Sequence, residues 1–262
     1  MSAISLIMKL NLGEKDYEIF DKIKLLMKEC EDVDHKKSNN DDKKEENTIN
    51  ESIDFNKINE LMINTDFEEY LKMIYNRGKD NFEIYLLNEN NYNLEDCKEK
   101  IQKMKYKELF DFIISNQNMI IINSYLNLFN DNNKKLLQDS ESKNILQFNG
   151  EIYNDITEIN KDNIKKDDNT DKRLSLFKVL DIFTKENKIE DINKYVENFF
   201  NIYNNLESDH AFYFHDNINK QILISRDIFG KRSIILYYIK FLSIIIFTPV
   251  LSETLIDLYK FN

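Results

Sequence analysis

Short apolar runs separated by asparagine- and lysine-rich stretches set the plan of this chain. The runs at residues 1–11, 119–129 and 144–148 are short and apolar, and so predict strands. In 88–118 the residues Ile101, Met104, Leu109, Phe110, Ile113 and Ile114 recur at helical spacing and predict a helix. Two more helices are predicted, at 171–183 from Leu174, Leu176, Phe177, Leu180, Ile182 and Phe183, and at 192–203. Segments 211–215, 221–225 and 233–247 then read as a succession of antiparallel strands. Strands, then helices, then strands imply an α+β fold built in layers.

The run 234–251 approaches the length of a membrane span. Lys240 stands near its middle, where a charge costs roughly 2.5–3.5 kcal/mol, and Pro249 near its end. Its Ile and Tyr content predicts two consecutive core strands instead, and no membrane partner is expected. Residues 28–52 carry too little apolar surface to offset the entropy of ordering, and predict disorder. A second polar stretch, 155–168, separates two apolar blocks.

Composition narrows the class. A net charge of −11 offers no basic stripe for phosphates and excludes a general nucleic-acid binder. Cys30 and Cys97 lie far apart in charged segments, predicting free thiols and a reducing compartment. The first residues show no secretory pattern, so a cytoplasmic location is expected. His35, His210 and His215 form no set with cysteines, and no metal site is expected.

Three of only four glycines, Gly78, Gly150 and Gly230, sit in short motifs. Phe148-Asn149-Gly150-Glu151-Ile152-Tyr153-Asn154 resembles the Asn-Gly-Glu-Ile-Tyr-Asn signature of class II glutamine amidotransferase domains, especially the N-terminal domain of asparagine synthetases. Asn76-Arg77-Gly78-Lys79-Asp80 is similar to that family's Arg-Gly-Pro-Asp, with lysine in place of proline. The opening Met1-Ser2-Ala3-Ile4 stands where the family has Met-Cys-Gly-Ile, so serine occupies the nucleophile's position. Thr170-Asp171 resembles the Ser-Asp that opens a helix, although Lys172-Arg173 depart from the acidic and small residues that usually follow. The residues Ala211-Phe212 and Arg226-Asp227-Ile228-Phe229-Gly230 resemble the family's Ala-Phe strand and Arg-Asp-x-x-Gly hairpin. Phe229 with Arg232-Ser233 favours the branch of asparagine-synthetase-domain-containing proteins.

The resemblance spans residues 1–262, with polar insertions at about 28–60, 88–118 and 155–168. It implies a four-layer αββα sandwich of the N-terminal-nucleophile hydrolase type, and glutamine hydrolysis that supplies ammonia for asparagine synthesis. It assigns Ser2 as nucleophile, Asn149 and Gly150 as oxyanion donors, and Arg77, Glu151 and Asp171 as glutamine contacts. Arg226, Asp227 and Gly230 are assigned to bracing the hairpin, and Asp171 also fits a plain helix N-cap. The chemistry is coherent, because amide hydrolysis needs a nucleophile, a base and donors for the developing oxyanion. In the family ammonia passes to a synthetase domain that uses ATP and Mg. This chain carries no Ser-Gly-Gly-type pyrophosphate loop, so a synthetase domain in cis or in trans is the expected partner and no cofactor is expected here. The alternative is a catalytically silent glutamine-binding or protein-interaction domain.

Overall fold

The computed structural model describes residues 3–9, 55–88, 94–116, 118–125, 136–154, 156, 171–187, 189, 191–239 and 242–260. In chain order its strands are β1 (Ala3–Lys9), β2 (Asn81–Asn88), β3 (Leu94–Asp96), β4 (Asn118–Tyr125), β5 (Leu136–Gln138), β6 (Ile145–Ile152), β7 (Ser208–Asp216), β8 (Gln221–Arg226), β9 (Ile235–Ile239) and β10 (Ile244–Thr248). Its helices are α1 (Phe55–Asn64), α2 (Glu68–Tyr75), α3 (Lys98–Ile101), α4 (Tyr106–Asn116), α5 (Lys172–Glu186), α6 (Ile192–Asn204) and α7 (Glu253–Lys260). Two antiparallel sheets result, sheet I in the order β3-β2-β4-β1-β10-β9 and sheet II in the order β5-β6-β7-β8. The protein is α+β.

Side chains alternate across a strand, and here both faces are covered. In β1, Ala3 and Ile7 pack with Ile58, Tyr70, Ile74, Leu109, Ile113 and Leu255 of the helices, whereas Ile4 and Leu6 meet Ile145, Ala211 and Tyr213 of sheet II. Burial on both faces explains why β1, β4 and β10 read as nearly unbroken apolar runs. On the far face of sheet II, Phe148, Phe212 and Phe214 pack against Leu176, Leu180 and Phe183 of α5 and Tyr195, Phe199 and Ile202 of α6. The order of packing is helices, sheet, sheet, helices.

The run 234–251 contains β9 and β10, paired with Ile245 opposite Tyr238. No helix among the described residues is long and apolar enough to cross a membrane. The helix read in 88–118 is α4, and with Ile101 it belongs to the main helical core. Helix α1 begins inside the stretch read as insertion 28–60 and buries Ile58 and Met62. The disorder expected at 28–52 lies outside the described residues, as does 155–168 apart from Ile156, which is buried against α5 and α6. Cys30 is likewise outside, whereas the buried thiol of Cys97 donates to the Ile84 carbonyl at 3.6 Å. Burial, then Asp96 and Glu95, push that thiol up to about 12, so it is an inert core group.

One polar side chain ties the sheets together. Gln147 of β6, 2 % exposed, donates through Nε2 to Ile122 O at 2.8 Å, Asn123 Oδ1 at 2.7 Å and Ser5 O at 3.3 Å. Removing one partner of a buried hydrogen bond leaves the other unsatisfied, at about 1–3 kcal/mol. Gln147→Leu, of similar volume, should lower the unfolding free energy by that amount in urea titrations. An unchanged midpoint would show that the tie is not formed.

Candidate functional site

The Asn-Gly-Glu motif lies within β6. Ile145 and Gln147 face sheet I, so alternation places Asn149 and Glu151 on that face too, Asn149 buried and Glu151 exposed at the rim. Gly150 sits between them with φ +144°, opposite His210 of β7. A Cβ there would lie 1.8 Å from the carbonyl oxygen of Asp209. The glycine therefore lets β6 and β7 approach where no side chain fits.

Arg77 follows α2 in a tight turn, its amide donating to Ile74 O at 3.0 Å and that of Gly78 to Tyr75 O at 3.0 Å. A Cβ on Gly78 would lie 2.4 Å from the backbone of Tyr125, and Lys79 bridges to Tyr125. The turn is thereby pressed onto the end of β4. Arg77 is half-buried, and its guanidinium meets no hydrogen-bond or ion-pair partner among the described residues.

Asp171 caps α5, accepting from the amide of Arg173 at 3.0 Å. Its carboxylate is also gripped by the Arg173 guanidinium, Nε at 3.0 and 3.1 Å and the terminal nitrogen at 2.6 Å. Beside it, Lys172 Nζ donates to Tyr153 O at 2.7 Å. The Arg173 charge reaches Tyr125, whose hydroxyl pKa is raised by burial and by Glu83 and lowered in part by Arg173. The three segments carrying Arg77, Asn149 and Asp171 therefore gather at one end of the space between the sheets. Strand β6 runs there from Gln147, bonded to Asn123, and is followed by Tyr153, bonded by Lys172.

Ser2 and Thr170 lie outside the described residues, and so does the expected closeness of Ser2 to Asn149. Ala3 pairs with Ser124, which brings the start of β1 to the same end of sheet I. Arg226 ends β8 opposite Ala211, and Asp227 and Gly230 follow it in the loop that crosses from β8 to β9. The buried Asp227 carboxylate accepts from the amides of Phe229 at 3.1 Å, Lys231 at 3.1 Å and Arg232 at 3.2 Å. Burial works against its charge, yet these amides hold its pKa below the ordinary carboxylate value. Gly230 takes φ +64°, with the Arg226 guanidinium lying over it.

Sequence reasoning missed Glu83, Asn123, Gln147 and Arg173. The signal was a polar residue within an apolar run, as in Ile120-Ile121-Ile122-Asn123 and Ile145-Leu146-Gln147-Phe148. A strand buried on both faces tolerates such a residue only with a partner or a ligand. Among the described residues no group of three or more His, Cys, Asp or Glu is placed to hold a metal ion. A groove of about 510 Å³ between the end of α5 and the start of α6 is remote from this cluster. Its polar groups are engaged internally, Lys185 with Asp181, Tyr195 with Asp216 and Asn198 with Asn187. No protein-family model matches the chain, and no curated protein matches it in sequence.

Proposed function

We propose that the chain is a glutamine amidotransferase domain of the asparagine-synthetase-like kind, and that its packing order is the N-terminal-nucleophile hydrolase sandwich. One observation carries the reading. Arg77, half-buried and without an anionic partner among the described residues, is held on Tyr125 at the same end of the intersheet space as Asn149 and Asp171. A half-buried guanidinium suits a ligand carboxylate, which it binds through two parallel hydrogen bonds.

In this reading Arg77 takes the α-carboxylate of glutamine, and Asn149 with the Gly150 amide faces the scissile carboxamide. With Met1 removed, the α-amine of Ser2, with an ordinary pKa of roughly 7.7–8.0, serves as base for its own hydroxyl. Ammonia released there passes to a synthetase domain in cis or in trans.

Serine in the nucleophile's place favours a second reading, glutamine binding without turnover. Calorimetric titration of the full chain with L-glutamine tests both. Arg77→Ala should weaken binding roughly ten- to hundred-fold, the worth of a charged hydrogen bond. Ammonia release that appears only in Ser2→Cys with Ala3→Gly would assign the wild type to the silent class. Absence of glutamine binding by the wild type would remove both readings.

A further inference from the structure

Two buried polar atoms of the β2–β4 pair have no hydrogen-bond partner among the described residues. They are Oε2 of Glu83 and Nδ2 of Asn123. Glu83 and Asn123 stand directly opposite one another in the β2–β4 pair. Tyr85 and Leu87 of β2 and Met119 and Ile121 of β4 face sheet II, so alternation turns Glu83 and Asn123 to that side as well. An acceptor and a donor thus lie side by side, with Cβ atoms about 4.5–5.5 Å apart by the geometry of strand pairing.

The orientation of the Asn123 amide follows from its neighbours. Gln147 Nε2 sits on two main-chain carbonyls, Ile122 at 2.8 Å and Ser5 at 3.3 Å, which require its nitrogen there. The same Nε2 donates to Asn123 Oδ1 at 2.7 Å, which leaves Nδ2 as the unbonded end. Glu83 is fixed too, its other oxygen accepting from the Tyr125 hydroxyl at 3.4 Å. Such groups are costly to bury without partners, because the desolvation penalty is not returned.

We propose that Glu83 and Asn123 read the head group of an α-amino-acid ligand, Glu83 taking the ammonium and Asn123 sharing the carboxylate with Arg77. The proposal rests on the glutamine reading above and moves ammonium recognition away from Asp171. The carboxylate of Asp171 is filled by the Arg173 fork and by the α5 amide, whereas Glu83 keeps one oxygen open. An α-amino acid carries a cationic donor and an anionic acceptor on one carbon, the complement of this pair. Asn123 is fully buried and Glu83 half-buried, so the ligand enters past Glu83.

The test compares L-glutamine with glutaramate, the analogue that keeps the carboxylate and carboxamide but lacks the ammonium, by calorimetric titration of the full chain. The wild type should prefer glutamine roughly ten- to hundred-fold, as a charged hydrogen bond requires. Glu83→Gln should bring that preference close to unity by weakening glutamine alone, and Asp171→Asn should leave it intact. If Glu83→Gln fails to fold, Glu83→Asp, which withdraws the carboxylate by one methylene, should reduce the preference by weakening glutamine alone, and an unchanged preference in that variant overturns the assignment. A preference that survives Glu83→Gln, or that vanishes in Asp171→Asn, overturns the assignment and leaves the glutamine reading standing. Equal binding of the two ligands by the wild type does the same. No binding of glutamine by the wild type overturns both.

Discussion

Gly150→Ala should destabilise the protein by about 4 kcal/mol, a large share of the stability of a domain. Two costs add. At φ +144° an L-residue is strained by roughly 1–3 kcal/mol. The new methyl would also sit 1.8 Å from the Asp209 carbonyl and 2.9 Å from the Cα of His210. Both are backbone atoms of β7, bound to β6 through eight paired positions from Ile145–His215 to Ile152–Ser208, so neither side can give without breaking the ladder. Overpacking of this kind costs a further 1–3 kcal/mol or more. Domains are stable by only about 5–15 kcal/mol in total. Gly230→Ala is the comparison: at φ +64° it carries backbone strain of about 1–2 kcal/mol, but its methyl would meet only the Arg226 guanidinium at 3.4 Å, a side chain that can swing aside. Urea midpoints should rank wild type, Gly230→Ala and Gly150→Ala in falling order. A Gly150→Ala protein within about 1 kcal/mol of wild type would show that β6 and β7 do not pair as described.

The same glycine shows what the sequence makes legible. In a chain with four glycines each one is informative, and Gly78 and Gly150 both mark places where backbone meets backbone. Strands buried on both faces announce themselves as apolar runs, so β1, β4, β6 and the β9–β10 pair are readable from residue type alone. Strand β2 is not, because Asn81, Glu83 and Asn88 interrupt it, and only three residues form β5. Helices α1 and α2 hide for a related reason, since Ile58, Met62, Tyr70 and Ile74 are spaced correctly but diluted by asparagine, glutamate and lysine. The site divides along the same line. A motif points to Asn149 and Arg77, but the engagement of Asp171 by Arg173, and the opposition of Glu83 to Asn123, depend on a side-chain rotamer and a strand register. Neither is written in local sequence.

Stability should collapse between about pH 6.5 and pH 4, and two histidines should account for most of it. His210 is 2 % exposed, its ring nitrogens joined to Ser208 Oγ at 2.7 Å and Ser225 Oγ at 3.0 Å, and its ring packs beside those of Phe148 and Phe212. Burial pulls its pKa down to about 4 against the opposing pull of Asp227 and Asp209. His215 is also pulled down to about 4, by burial and then by Lys220. Each is neutral when folded and titrates near 6.5 when unfolded. The stabilisation is complete above the unfolded value and is lost as pH falls through that window, where unfolding takes up one proton per ring. At 1.36 kcal/mol per unit the loss is about 3 kcal/mol for each ring, about 6 together. Asp139, Asp209 and Asp227, whose pKa values are lowered from the ordinary 3.8, add their losses only below the window. His35, the third histidine, lies outside the described residues. Urea titrations from pH 7.5 to pH 4 should give a slope approaching two protons, falling by about one in His210→Gln. A flat profile between pH 7 and pH 5 would mean that both rings reach water, and the packing of β7 on both of its faces, His210 toward the helices and His215 toward sheet I, would then have to be redrawn.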